Sequence, residues 1–245
     1  MAAPREDADV ETSSATYARR FSGPVGSWFL DVQAKSALEL LRPWPGATVL
    51  DVGGGHGQLA HPLAGAGYSV TVLGSAPSCV EGLGNLHGVK GVRFLSGDLA
   101  ALPFADRSFD VVLSFRLLTH ALRWSALVGE LARVAKRAVV IDYPSAISVN
   151  FLQGISYRMK RRLEPDTRPF RVFRERELQD AFAEHGFQRT ARRPAYVFPM
   201  ALHRLLGRVE LARALEGAAS SMGLTGILGS PVILRLERQE EVPGR

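Results

Sequence analysis

Between Val49 and Ala60 the chain reads VLDVGGGHGQLA, and no other stretch restricts its fold more. The short apolar run from Thr48 to Val52 carries one acid, Asp51. Glycines then stand at Gly53, Gly54, Gly55 and Gly57, and an apolar, helix-compatible segment follows at once. Glycine tolerates the positive φ of a tight turn and has no Cβ to hold a ligand away. The helix start beyond it offers backbone N–H groups that lack helical partners, together with the positive end of the helix dipole. Strand, glycine turn and helix together bring bare backbone against a ligand.

The surrounding pattern is that of an α/β chain. Strand-like runs at 48–52, 68–73, 92–95, 109–115, 138–143, 187–195 and 231–236 alternate with helix-like segments at 27–41, 57–66, 77–86, 127–135 and 175–185. The nearly unbroken apolar run at 109–115 is that of a strand covered on both faces. A chain of 245 residues with 46% hydrophobic content can bury one substantial core with an appended cap. The expected layout is a mobile tail over 1–14 and a single domain over 15–245. Its core would span 38–143 and 175–238, with cap segments at 145–174 and 199–226.

The glycine spacing narrows the ligand. A dinucleotide turn follows G-x-G-x-x-G, which from Gly53 would place a glycine where Gln58 stands. The pattern here is G-x-G-x-G with an acid two residues upstream. With the run SGDLAALPFADRSFDVVLS at 96–114 and the stretch LLTHALRWSALVGELAR at 117–133, it resembles the class I S-adenosylmethionine-dependent methyltransferases, and within them the small-molecule branch that includes quinone methyltransferases.

That resemblance implies a Rossmann-like, mostly parallel seven-stranded sheet in the order 3-2-1-4-5-7-6, helices on both faces, a helical cap, and S-adenosylmethionine as cofactor. It implies that Asp51, Gly53, Gly54, Gly55 and Gly57 cradle the cofactor. Asp98 and Leu99 would meet the adenine, Ser114 would lie at the end of the fourth strand beside the cofactor, and Tyr17 and Arg20 would close over its methionine end. One departure stands out. The family's acid for the ribose hydroxyls, at the end of the second strand, falls on Gly74, and no Asp or Glu occurs from Ser69 to Val80. Ser75 or Glu81 would have to compensate.

A sulfonium methyl is already activated, so alignment of the acceptor and exclusion of water supply much of the rate, and a base is needed only for a weakly acidic acceptor. His120, Tyr143 and Tyr157 are the candidate catalytic residues, in segments expected near the ligand-binding edge of the sheet. Arg116, Phe151 and Arg168 are candidates for the acceptor, which the aromatic and arginine content of the cap suggests is a small or medium apolar molecule with an anionic or phenolic group. O- or C-methylation is the favoured outcome. Amine targets lose ground, because Ser114-Phe115-Arg116-Leu117 stands where an N-P-P-Y-like tetrapeptide would be.

The net charge of +6, with arginines gathered at 158–176, leaves open an RNA or protein methyltransferase. Lack of a recognisable binding module argues against nucleic acid. Gly74 leaves open a non-catalytic member with weakened cofactor binding. The lone cysteine, Cys79, excludes an internal disulfide and a cysteine-cluster metal site; no metal is expected. No apolar run reaches membrane-spanning length, so the expectation is a cytoplasmic protein. An amphipathic stretch at 145–163 leaves peripheral membrane contact open.

Overall fold

The computed structural model describes residues 6–12, 19–54, 57–81, 89–148 and 170–239. Its sheet has seven strands: β1 (Thr48–Val52), β2 (Ser69–Gly74), β3 (Val92–Ser96), β4 (Phe109–Ser114), β5 (Ala135–Tyr143), β6 (Phe187–Tyr196) and β7 (Ser230–Arg238). The order is β3-β2-β1-β4-β5-β7-β6, as expected. β1 to β5 run parallel, and β7 is antiparallel to both β5 and β6.

Side-chain alternation along the central strands divides the core in two. Leu50, Val52, Val112, Val139 and Ile141 belong to one apolar cluster, with α5 (Trp124–Val134) and α6 (Glu175–Ala183) packed on it. Val49, Val111, Leu113, Ala138 and Val140 belong to the other, under α2 (Gly23–Leu41) and α3 (Ala60–Gly65); the short α4 (Ser78–Glu81) follows β2. Each fully buried Leu or Val here is worth about 1.5–3 kcal/mol. Helix α2 begins four residues before the expected helix, because Pro24 fits its first turn, where no N–H is needed.

The expected insertion between the last two strands is present as α7 (Met200–Leu206), α8 (Val209–Ser221) and α9 (Leu224–Leu228). Gly207, left-handed at φ 65°, separates the first two helices. Glu216 ties this cap to the core. It accepts the backbone N–H groups of Val197 and Phe198 and pairs with the fully buried His203 at 2.8 Å.

Glu130 and Arg133, one helical turn apart and paired at 2.7 Å, clamp the turn before β4. Arg133 donates to the Leu102 and Phe104 carbonyls and to Asp106, while Glu130 accepts the Leu102 N–H at 2.6 Å. Residues 6–12, expected in a mobile tail, are docked on the sheet edge with helix α1 (Ala8–Thr12) at their centre. Asp9 and Glu6 accept the Ser75 and Arg123 N–H groups, and Ala8 is buried in the core. No described helix is long and apolar enough to cross a membrane.

Candidate active site

Asp51 is the next-to-last residue of β1, and the chain turns after Val52. Gly53 donates its N–H to the Leu73 carbonyl at 2.8 Å, which fastens the turn to β2. Gly53 is left-handed at φ +71°, and a Cβ there would lie 2.9 Å from the Leu117 side chain. At Gly54 a Cβ would lie 2.6 Å from the Asp51 carboxylate. Only glycine lets both backbone units lie this close to their neighbours. Gly57 begins the turn into α3. Gly55 lies outside the described residues.

Asp51 is 1% exposed, and its Oδ1 has no hydrogen-bond partner among the described residues. Burial pushes its carboxyl up from 3.8 to about 7, against the opposing pull of Arg116. Ser75 and Ser114, just past β2 and at the end of β4, are likewise buried with hydroxyls that have no partner among the described residues. Buried polar groups ordinarily have partners, and each one left without costs about 1–3 kcal/mol. Three such atoms at the ends of three adjacent strands, beside the topological switch point where α/β sheets bind ligands, mark a polar ligand site. A void of about 10 Å³ beside Asp51, Gly53, Gly54 and Gln58 also touches Arg116.

A second, larger space opens beyond Arg116. This cavity of about 440 Å³ is walled by Phe21, Phe29, Tyr196, Phe198 and Met200, with Arg116, His120, Asp142 and Arg204 as its charged or titratable groups. Arg116 therefore borders both spaces. It sits at φ +58°, a conformation rare for a side chain of this size. Its N–H donates to Asp142 Oδ1, its guanidinium to Gln58 Oε1, and the guanidinium carbon lies 4.7 Å from the Phe21 ring centre. Asp142 is 5% exposed, and burial pushes its carboxyl up from 3.8 to about 6, again opposed by Arg116.

The sequence candidates are distributed unevenly over this geometry. Asp51, Gly53, Gly54, Gly57, Gly74, Ser75 and Ser114 gather at the sheet's ligand edge. Leu99 is fully buried beside them. Asp98 accepts the Ala100 N–H at 2.9 Å in a local turn. Arg116 and His120 line the large cavity.

Tyr143 does not line it. Its side chain is on the opposite face of β5, in the core, where its hydroxyl donates to Glu175 at 3.0 Å, and burial raises its pKa. Strand alternation gives the cavity position to its neighbour Asp142 instead, a residue that the sequence reading passed over. The signal was there: Asp142 stands next to last in an apolar strand, just as Asp51 does. Tyr17, Tyr157, Phe151 and Arg168 lie outside the described residues, as does the side chain of Arg20.

Comparison with known proteins agrees with the geometry. Residues 50–141 match the methyltransferase domain family. The likeness to that family extends over 92 of the 245 residues. An uncharacterized methyltransferase from Mycobacterium marinum is 36% identical over 91 residues, which are 37% of this chain and 36% of that one. A demethylmenaquinone methyltransferase from Renibacterium salmoninarum is 38% identical over 96 residues, 38% of each chain. The chain thus spans well under half the length of these curated relatives. Among solved structures, the magnesium protoporphyrin IX methyltransferase of Synechocystis with S-adenosylhomocysteine bound has the same fold at a TM-score of 0.65. The two are 18% identical, and the match covers 94% of this chain and 97% of that one.

Proposed function

We propose that this chain transfers a methyl group from S-adenosylmethionine to a small or medium, largely apolar acceptor with an acidic hydroxyl or carbon. The observation that carries this reading is the meeting of two spaces at Arg116: a polar one at the glycine turn and a mainly apolar cavity of about 440 Å³. A site for methyl transfer needs that layout, with donor and acceptor held on either side of one contact point.

When bound, the cofactor supplies an electrophilic methyl on a sulfonium sulfur. The chain's residues fit it: the Asp51 carboxylate matches an ammonium group, and the Ser75 and Ser114 hydroxyls can bond other polar atoms of the ligand. On the acceptor side the aromatic walls exclude water and hold the reacting atom in line. Asp142 can take the acceptor's proton. With its pKa raised to about 6 it is ionised at neutral pH yet retains basicity suited to that pH. His120, on the same cavity wall, is the alternative base. Arg116 and Arg204 offer cationic partners to an anionic group on the acceptor. The name of the Renibacterium relative, a demethylmenaquinone methyltransferase, supports an acceptor of quinone-like chemistry.

Calorimetric titration with S-adenosylmethionine and S-adenosylhomocysteine tests the reading. Micromolar binding that Gly53→Val abolishes is the expected result. No heat at millimolar ligand from a folded protein would refute it.

A further inference from the structure

Residues 6–12 reach from Ser75, just past β2, to Arg123, beyond β4. We infer that this segment is an internal occupant of the nucleoside end of the cofactor site and must leave before the cofactor binds. The inference rests on the function proposed above.

The segment grips both lips of the crevice. On the β2 side, Asp9 Oδ2 accepts the Ser75 N–H at 2.7 Å and lies 3.5 Å from Cys79 Sγ. On the side beyond β4, Glu6 Oε2 accepts the Arg123 N–H at 3.1 Å. Ala8 is buried in the apolar cluster that includes Leu73, Leu99, Leu102 and Leu117. Ala8, Asp9, Leu73 and Leu99 are all 0% exposed, and Ser75 is 3%. Zero exposure at these residues leaves not even a water-sized gap beside them. A nucleoside lying between Ser75 and Leu99 therefore cannot share the crevice with α1.

Gly74 takes on a new meaning here. In Rossmann-type sheets an acid about 20 residues past the glycine turn bonds the ribose, and Gly74 holds that place. A Cβ on Gly74 would lie 3.4 Å from Asp9 Oδ2 and 2.8 Å from Cys79 Cβ. The strand end thus has no carboxylate of its own, and the docked segment places one there. The occupant is also an imperfect one. The Asp51 Oδ1, Ser75 Oγ and Ser114 Oγ atoms have no partner among the described residues while it is docked. A ligand with hydroxyls and an amine would satisfy groups that α1 leaves unsatisfied.

Hydrogen-exchange mass spectrometry of the full chain, with and without S-adenosylhomocysteine, tests the displacement. It is paired with calorimetric affinities of the wild type, Ala8→Glu and Asp9→Asn. A segment docked nine-tenths of the time weakens the apparent affinity about ten-fold. Ala8→Glu, which cannot bury its charge, is therefore expected to bind about ten-fold tighter, and Asp9→Asn tighter by a smaller factor. Amides 6–12 of the wild type are expected to exchange faster once ligand is bound. Slower exchange of 6–12 with ligand, or equal or weaker binding by both variants, would overturn the inference while leaving the proposed function standing. Silence from every variant at millimolar ligand would bring down both.

Discussion

Replacing Asp51 with Asn should stabilise the ligand-free protein while damaging the site. Burial raises this carboxyl from 3.8 to about 7. In the unfolded chain it titrates near 3.9. Below about pH 4 it is neutral in both states and costs nothing. As pH rises toward and through 7, the unfolded chain ionises freely, whereas the folded one must hold a fully buried anion. Stability is therefore present at low pH and lost as pH climbs. At 1.36 kcal/mol per pH unit the loss is about 4 kcal/mol. Asn has the same shape and no charge, so it escapes this cost. Differential scanning calorimetry of the ligand-free Asp51→Asn protein should show a gain of about 2–4 kcal/mol at pH 8, on the order of 5–15 °C for a chain of this size. The gain should vanish near pH 4. The same variant should bind S-adenosylhomocysteine at least about ten-fold more weakly, through loss of a charge-assisted contact. A variant less stable than wild type at pH 8 would refute the reasoning, because the carboxylate would then be contributing to the fold.

Three further outcomes follow from the geometry. Gly53→Ala forces a side chain to φ +71° and to within 2.9 Å of Leu117; chemical denaturation should show a loss of about 1–3 kcal/mol, and calorimetry a loss of cofactor affinity. Arg133→Ala removes the donor to two carbonyls, Asp106 and Glu130, and should cost about 2–3 kcal/mol in urea unfolding without moving cofactor affinity. Tyr143→Phe deletes the bond to Glu175 and should cost about 1 kcal/mol, with S-adenosylhomocysteine affinity unchanged. A loss of affinity there would mean that Tyr143 serves the site after all.

What could be read from the chain alone was local. The glycine turn, its acid and the positions of the strands were legible because turn chemistry and strand patterning are written within a few neighbouring residues; the strand order came only with the family resemblance. The inward face of β5 was not. The run AVVIDY is apolar on both faces, as a central parallel strand is, so alternation cannot tell Asp142 from Tyr143. The docking of 6–12 was hidden for a different reason. Its partners, the Ser75 and Arg123 N–H groups, are 66 and 117 residues away, and the segment itself reads as acids and small residues. The Arg133 clamp was half visible: its pairing with Glu130 follows from helical spacing, but the carbonyls of Leu102 and Phe104 approach it only once β4 is in place. The large cavity, assembled from α2, α7, β5, β6 and the turn after β4, was legible only at Arg116 and His120, because its aromatic walls come from segments far apart in the chain.

The most direct test of the central claim is a crystal structure of the protein grown with S-adenosylhomocysteine. Ligand density is expected over Gly53 and Gly54, with polar contacts to Asp51, Ser75 and Ser114, and with α1 displaced from the crevice. Ligand bound elsewhere, or a crevice still filled by residues 6–12 at saturating ligand, would contradict it.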